Sequence, residues 1–318
     1  MWTREVTKEA ISGDILMSVR APVGPINFST MKICIGRGLA AIRATDKIDR
    51  EFLFYTLLHK QDEIHGSEGA VFASINKGQI EAINVALPSL QEQRRIVNII
   101  DEAFAGLEAM RANAEKNLQN ARQLFDRCLN VALNGRGDGW IRCRIGDQIT
   151  LQRGFDITKG QQKPGEVPVV SSGGVKSYHN VAMVRGPGVV IGRKGTLGKT
   201  YFVDDDFWPH DTTLWVKDFR GNDPLYVYYF FSDLRVTHLD SGAANPALNR
   251  NLIHPLESQW PSVALQKSIV AALSDIRAEV ERLETIYRRK LAAIDELKQS
   301  LLQKAFSGQL TSSETLAA

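Results

Sequence analysis

Three short stretches of this sequence bring residue types together in patterns that enzymes use. The first, Gly192–Thr200, ends in Gly-Lys-Thr and resembles a phosphate-binding P-loop. A P-loop needs a glycine five residues before its Gly-Lys-Thr, so that backbone N–H groups can cradle the phosphates, and Arg193 stands there instead. A helix should also follow at once, whereas Tyr201–Val203 and the three aspartates after it predict a strand and a turn. The stretch therefore does not predict nucleotide hydrolysis.

The second stretch, Asn245–Leu248, resembles the Asn-Pro-Pro-aromatic loop with which adenine methyltransferases hold a flipped base. Its second proline and its aromatic residue are absent, and the related residues Phe72–Ile75 keep none of the pattern. The third stretch, Asp295–Lys298, contains the Glu-x-Lys of metal-dependent nucleases, but it lies beside an apolar helical seam, where charges form the solvated face. We expect a turn and a helix surface, and no catalytic residue in this chain.

The composition predicts a cytoplasmic protein of about two domains. The chain has 318 residues and a formal net charge of +3, which permits binding to nucleic acid without demanding it. Cys34, Cys128 and Cys143 are odd in number and far apart, so we expect small buried hydrophobes rather than disulfides or a zinc site. The six histidines show no ligand spacing, and no metal is expected. The sequence has no apolar stretch near 18 residues, which argues against a membrane span.

The elements that must position any site are duplicated. Leu87–Gln93 (Leu-Pro-Ser-Leu-Gln-Glu-Gln) recurs as Trp260–Gln266 (Trp-Pro-Ser-Val-Ala-Leu-Gln), and the two prolines lie 173 residues apart. A period this long is typical of a duplicated domain and not of a solenoid repeat, whose units have about 20–50 residues. Nothing earlier in the chain matches Trp140–Gly173, so the first copy lacks the opening segment of the second.

A long helix is predicted in each copy, over residues 91–133 and 264–306. Apolar residues recur there at alternating steps of four and three, the pattern of a coiled-coil seam. Prolines precede the helices and glycines follow them, as at helix ends. We expect the two helices to pack on each other along a seam of Ile96, Ile100, Leu107, Met110, Leu124, Ile269, Leu273, Ile276, Val280, Leu283, Ile294 and Leu297.

Asn117 and Lys290 place polar residues on this seam at matching positions. A polar seam residue can fix the register of two helices. Alternatively, the stripe shifts by one residue, since Leu118 and Leu291 are adjacent. The sequence favours neither reading.

The predicted fold class is α+β, with two mixed α/β domains, the first incomplete, joined by two long helices packed as an antiparallel coiled coil. Short β-like runs separated by Gly, Pro and Asp turns support the mixed character of the domains. The predicted boundaries are 1–87 for the partial first domain, 88–136 for the first long helix, 137–262 for the complete second domain, 263–308 for the second long helix and 309–318 for a polar tail.

Several motifs of this sequence resemble motifs of the specificity (S) subunits of type I restriction-modification systems. Leu87–Val97 looks like that family's hinge from a recognition domain into a conserved helix, and Lys304–Leu310 resembles its usual close. Further support comes from Gly13–Leu16, Ile75–Lys77, Ile145–Asp147, Arg153-Gly154 and Leu248–Arg250. The resemblance covers nearly the whole chain.

The resemblance implies a non-catalytic subunit with two target recognition domains, each reading half of a bipartite double-stranded DNA site. The helices, on the order of 60 Å long at 1.5 Å per residue, would act as a spacer across about two DNA turns. It also implies that an adenine-N6 methyltransferase (M) subunit docks on the helices. That subunit would bring S-adenosylmethionine, and this chain would bind no cofactor. A restriction (R) subunit would add cleavage where one is present. The alternative is a truncated scaffold that binds M without reading DNA.

For the complete domain, polar and basic residues in turns are the predicted DNA contacts, because backbone and side chains can approach phosphates and base edges there. The set is Arg153, Ser171, Ser172, Lys176, His179, Arg193, Lys194, Lys199, His210, Asn249 and Arg250.

Overall fold

The structure is a computed structural model that describes residues 8–64, 74–234 and 247–310. The chain divides into two compact units. The first unit contains residues 1–117 and 286–318, and the second contains 118–285. Both long helices therefore contribute one part to each unit.

In the first unit, two small antiparallel sheets lie beside short helices. Strand β2 (Ile15–Ser18) lies between β3 (Ile26–Phe28) and β5 (Leu39–Ile42), and β1 (Glu9–Ala10) pairs with β4 (Ile33–Cys34). Helices α1 (Arg50–His59) and α2 (Lys77–Glu81) follow. Alternate residues of β2, Ile15 and Met17, are fully buried in one core cluster with Leu53 and Leu57 of α1, as the period of two in a strand requires.

Helix α3 (Leu90–Leu133) leaves the first unit and enters the second, whose described residues form a larger domain of nine strands and three short helices. These elements are β6 (Trp140–Arg144), α4 (Ile145–Gln148), β7 (Thr150–Arg153), β8 (Val167–Ser171), β9 (Gly174–His179), β10 (Gly188–Gly192), β11 (Thr200–Val203), β12 (Trp208–Pro209), β13 (Thr213–Asp218), α5 (Pro224–Asp233), α6 (Arg250–Ile253) and β14 (Glu257–Pro261). The strands form sheets in the orders β11-β10-β13-β7, β12-β8-β9 and β14-β6. Helix α7 (Val263–Phe306) follows.

The duplication predicted from sequence is visible element by element. Six elements of the first unit have a counterpart in the second whose first residue lies 173 or 174 positions later. The pairs are β2 and β10, β3 and β11, β5 and β13, α1 and α5, α2 and α6, and α3 and α7. In the second unit, β7 pairs with the outer edge of β13 and β6 pairs with β14. In the described part of the first unit, no strand takes either place, so β5 keeps an open edge and residues 84–88 form no strand.

The long helices lie within one residue of their predicted bounds, and each has 44 residues, about 66 Å at 1.5 Å per residue. Their packing is antiparallel in both units. In the first unit, Arg111 pairs with Asp295, and Glu108 Oε1 lies 3.5 Å from Lys298 Nζ. Residue numbers therefore increase along one helix where they decrease along the other. In the second unit, Arg122 Nε is 2.9 Å from Glu284 Oε1. The predicted fold class is confirmed.

A buried glutamine holds the first turn of each long helix against the neighbouring short helix. Gln93 Oε1 accepts from the backbone N of Asp49, and its Nε2 donates to the carbonyl of Pro88. Gln266 does the same with Asp223 and Pro261. Both glutamine side chains are fully buried. Asp49 and Asp223 are in turn the N-caps of α1 and α5, which explains why these apolar stretches form helices in both copies.

The prediction of the helix seam is wrong at three residues. Met110 is 60% exposed, Leu124 49% and Leu297 48%. Over most of α3, every second inward-facing position lies one residue later than the predicted seam. These positions are Phe104, Arg111, Leu118 and Phe125. Both phases keep steps of three and four, so the pattern alone cannot choose between them.

The remaining seam predictions vary in burial. Ile96, Ile100, Leu107, Leu273 and Val280 are buried, whereas Ile269, Ile276, Leu283 and Ile294 are half-buried. Asn117 and Lys290 are exposed, while Leu118 and Leu291 are half-buried. The shifted stripe, and not a polar seam residue, is therefore the reading that the structure confirms.

Candidate nucleic-acid interface

Four loops meet at one end of the second unit because the strands that lead into them are paired. In the antiparallel register, the first residue of β13, Thr213, lies opposite Gly192 at the end of β10, and Leu214 lies opposite Arg153 at the end of β7. The turn from β8 to β9 joins them, since Ser172 N donates to Thr212 Oγ1 over 3.3 Å. We call residues 153–156, 171–173, 192–199 and 209–213 the loop cluster.

Backbone hydrogen bonds fix the shape of the loop cluster. The N–H groups of Arg193 and Lys194 both donate to the carbonyl of Thr212, over 2.8 and 3.0 Å. A Cβ on Gly154 would lie 2.2 Å from the carbonyl oxygen of His210, and one on Gly192 would lie 1.9 Å from that of Thr196. Only glycine permits these approaches, so the two glycines set how closely the loops pack.

Two arginines of the loop cluster contact Asp211. Arg153 NH2 donates to Asp211 Oδ2 over 2.8 Å, and Arg193 NH1 donates to the backbone carbonyl of the same aspartate over 3.4 Å. Burial, and then the charge of Arg153, lower the pKa of the Arg193 guanidinium from its ordinary value, while Asp211 opposes that shift. Lys194 and Lys199 are exposed, and Lys199 Nζ lies 5.4 Å from the ring centre of Tyr201. The cluster is a mainly cationic surface with two acidic groups, of which Asp211 is paired with Arg153 and Asp156 lies nearby.

Three of the predicted DNA contacts have buried side chains, so direct contact is wrong for them. Ser171 and Ser172 are 7% and 8% exposed, and the Ser171 hydroxyl donates to the carbonyl of Gly174. His179 is 7% exposed, and its Nδ1 accepts from the backbone N of Lys163. Ser171 and His179 therefore make hydrogen bonds within the fold, and Ser172 is buried next to Ser171.

The other predicted residues are at least partly accessible. Lys176, Lys194, Lys199, Asn249 and Arg250 are exposed, the Arg153 side chain is 55% exposed, and Arg193 and His210 are half-buried. Asn249 is the N-cap of α6, and the backbone N of Leu248 donates to the carbonyl of Arg193, which ties this segment to the loop cluster. Their predicted contact with DNA stays a prediction.

Asp211 and Thr212 were missed by the sequence reasoning, although they are the residues on which the loops converge. Their one sequence signal is the polar run His210–Thr213 after a proline, which indicates a turn and nothing more. Oxygen and nitrogen atoms of Asp156, His210 and Asp211 lie within 4.8 Å of one another, a spacing that could hold a cation. The guanidinium of Arg153 already neutralises Asp211, which disfavours such an ion.

The enzyme-like stretches are parts of the fold. Gly192–Thr200 joins two antiparallel strands, and no helix follows it, so it is not a P-loop. In the third stretch, Asp295 pairs with Arg111 and Lys298 with Glu108 on the surface of the long helices. Asn245 and Pro246 of the second stretch lie outside the described residues.

The cysteines are less buried than the sequence predicts. Cys34 is exposed and Cys128 and Cys143 are half-buried, so the expectation of buried cysteines is wrong. Burial nonetheless raises the pKa of the Cys143 thiol. Among the helices that the structure describes, none combines the length and apolar character needed to cross a membrane.

The fold and the loop cluster together define a duplicated α+β protein, whose two related units share an antiparallel pair of long helices. Comparison with known proteins narrows this class. A family model for the type I restriction modification DNA specificity domain matches residues 5–117. The putative type I restriction enzyme MjaX specificity subunit of Methanocaldococcus jannaschii is 36% identical over 138 residues, which is 43% of this chain and 32% of that protein. The match thus spans about a third of that relative's length.

Other similarities extend further along the chain. The EcoDI specificity subunit of Escherichia coli is 22% identical over 323 residues, covering 83% of this chain and 71% of that one. A solved structure described as showing complex assembly and conformational transition of the type I R-M system covers 96% of this chain with a TM-score of 0.81 and 18% identity; 85% of that chain is matched. The HsdS subunit of Thermoanaerobacter tengcongensis gives a TM-score of 0.62, 18% identity and coverage of 96% and 84%.

At 18% identity the structural matches show the fold alone. The family model over residues 5–117 and the curated relatives show that this chain is similar to the specificity subunits of type I restriction-modification systems, in agreement with the sequence resemblance. The absence of the opening segment from its first domain stays a prediction.

Proposed function

We propose that this chain is a non-catalytic subunit that reads DNA sequence and directs an adenine-N6 methyltransferase subunit, and a restriction subunit where one is present, to a specific site. The loop cluster is the observation that carries the proposal. It gathers Arg153, Arg193, Lys194 and Lys199 from separate parts of the chain onto one end of the second unit. Clustered cations supply the salt-dependent phosphate affinity of DNA-binding proteins, and loops present side chains to base edges.

S-adenosylmethionine would be bound by the methyltransferase partner and not by this chain. Exposed faces of α3 and α7 would provide the docking surface for that partner. The chain would act in the cytoplasm, where its DNA is found. These statements rest on the family and on the fold.

A charge-reversal experiment tests DNA binding by the loop cluster. Lys194→Glu combined with Lys199→Glu, in the chain co-purified with its methyltransferase subunit, should weaken binding to duplex DNA by about tenfold or more at low salt and flatten the salt dependence. Lys217→Glu is the matched control, because Lys217 is an exposed lysine toward the opposite end of β13. Equal affinity of the double variant and the parent would remove the loop cluster from the proposal. Methylation mapping in cells with both subunits would then identify the recognised sequence.

A second candidate function is a scaffold that binds the methyltransferase subunit without reading DNA. We propose this role for the first unit, because the cationic loops around Asp211 lie in the second unit. The assembly would then be asymmetric, with one half-site read by the second unit and one methyltransferase subunit held strongly. Native mass measurement of the co-expressed complex tests this, and two methyltransferase subunits of similar affinity per chain would contradict it. Binding of the isolated complex to random and mapped duplexes separates the two functions.

A further inference from the structure

Asp211 is the acidic residue that contacts both Arg153 and Arg193 of the loop cluster, and we propose that it sets the balance between specific and non-specific DNA binding. It would do so by holding Arg153 in place and by repelling phosphates that approach that arginine. The inference rests on the proposed function, since it presumes that the loop cluster faces DNA.

The geometry makes Asp211 the common partner of three groups. Its Oδ2 accepts from Arg153 NH2 over 2.8 Å, and its Oδ1 lies 3.1 Å from His210 Nδ1. Its backbone carbonyl accepts from Arg193 NH1 over 3.4 Å. The Asp211 side chain is 18% exposed, whereas the Arg153 side chain is 55% exposed. The carboxylate is therefore held below the surface, and the guanidinium that it fixes projects toward solvent.

Asp211 is the carboxylate that acts on both arginines of the loop cluster. Burial, and then the charge of Arg153, lower the pKa of Arg193, and the charge of Asp211 opposes that shift. Loss of the carboxylate would leave Arg153 without its ion-pair partner beside Arg193, and Asp156 as the nearby acidic group. Such an unpaired cation attracts any phosphate of any sequence, because phosphate contacts are independent of the bases.

A carboxylate next to an arginine discriminates between the two kinds of acceptor that DNA offers. A phosphate oxygen carries negative charge and is repelled by Asp211, whereas the acceptor atoms O6 and N7 of guanine are neutral and are repelled little. The hydrogen bond from Arg153 also restricts the rotation of a long, flexible side chain before DNA arrives. Asp211 thus disfavours the non-specific contact while it orients Arg153 for a base edge.

The experiment measures binding of duplex DNA to the full chain with its methyltransferase subunit, by fluorescence anisotropy at several salt concentrations. EDTA is present, so that no cation held by Asp156, His210 and Asp211 contributes. The probes are a random-sequence duplex and a duplex that carries the sequence found by methylation mapping. Asp211→Asn should tighten binding of the random duplex by about threefold or more, steepen the salt dependence by about one ion and reduce the ratio of specific to random affinity.

Three matched variants make the result specific to the ion pair. Asp156→Asn removes the same charge from the same neighbourhood, but Arg153 pairs with Asp211, so this variant should change random-duplex affinity less than Asp211→Asn does. In an Arg153→Gln background, Asp211→Asn should have no further effect. Asp211→Glu keeps the charge and should bind the random duplex as the parent does, which also shows that the site tolerates substitution.

Equal effects of Asp211→Asn and Asp156→Asn, or an effect that persists without Arg153, would overturn the inference. Unchanged or weaker random-duplex binding by Asp211→Asn would also overturn it. If the parent complex binds neither duplex, the proposed function fails as well. If the parent binds and only the Asp211 comparison fails, the proposed function stands without this inference.

Discussion

Leu87 and Trp260 occupy equivalent positions of the duplicated sequence, yet Leu87 is 59% exposed and Trp260 is 1% exposed. The difference comes from a strand. Trp260 lies in β14, which pairs with β6, and its Nε1 donates to Asn222 Oδ1 over 2.8 Å. Residues 84–88 of the first unit have no such partner among the described residues. The same repeat position is therefore part of a core in one unit and part of the surface in the other.

The central sheets differ in the same way. The first four residues of β13 are all buried, because β7 pairs with one of its edges and β10 with the other. All four residues of β5 are only half-buried. The elements that do not need β6–β9, namely the short helices, the glutamine contacts and the long helices, are alike in both units. The comparison shows that the shared elements form in both units, whereas the burial of Trp260 and of β13 accompanies pairing with β6 and β7.

The largest expected effect is at Trp260. Trp260→Ala should lower the free energy of unfolding by about 3–5 kcal/mol, because it leaves a cavity in the core and leaves Asn222 with one hydrogen bond fewer. Leu87→Ala should change it by less than about 0.5 kcal/mol, because that side chain is already exposed. Urea denaturation of both variants measures the difference. A large cost at Leu87 would mean that something covers residues 84–88, and the contrast between the units would be lost.

The long helices should show the opposite result, namely equal effects in both units. Leu107 and Val280 are equivalent and are 5% and 7% exposed, so an aspartate at either should cost about 3 kcal/mol by burying an unpaired charge. Leu124 and Leu297 are also equivalent, and both are about half exposed, so Leu124→Asp and Leu297→Asp are controls expected to be nearly neutral. Thermal and urea unfolding test this set. Neutral Leu107→Asp and Val280→Asp variants would show that the packing described for the helices is incorrect.

The smallest effect concerns the glutamines. Gln93→Ala and Gln266→Ala should each cost about 1–2 kcal/mol, because each leaves a backbone N–H at the start of a short helix without its acceptor. We expect the larger loss for Gln266, because its Nε2 also donates to Asn222 Oδ1 over 2.6 Å, whereas the second bond of Gln93 Nε2, to the carbonyl of Lys47, is longer at 3.3 Å. Hydrogen exchange of α1 and α5 assigns the loss to a unit, and Gln91→Ala, at an exposed position two residues away, is the control. No change in exchange at either helix would argue against the contact.

The helices were predicted well because their signals are local. The bounds of α3 and α7 follow from prolines, glycines and a repeating apolar pattern, each of which acts within a few residues. The phase of the seam was predicted less well. Met110 and Leu124 fit the pattern as well as Phe104 and Phe125 do, and only the position of the facing helix decides which of them is buried.

The loop cluster was predicted in part. The exposed lysines were predicted from their place in turns, whereas His179 and Ser171 look like surface residues in sequence and are buried in the fold. Asp211 was missed because its importance depends on Arg153, which lies 58 residues earlier. No pattern of spacing relates the two residues.

The sequence by itself determined the duplication, the unmatched segment Trp140–Gly173, the two long helices and the family resemblance, because these depend on residue order and on interactions between near neighbours. Only the tertiary structure decided which helix face is buried, that Trp260 is covered while Leu87 is not, and that Asp211 lies among basic groups. These outcomes depend on strand pairing between residues distant in sequence. Burial and charge act through distance in space, which the order of residues does not contain.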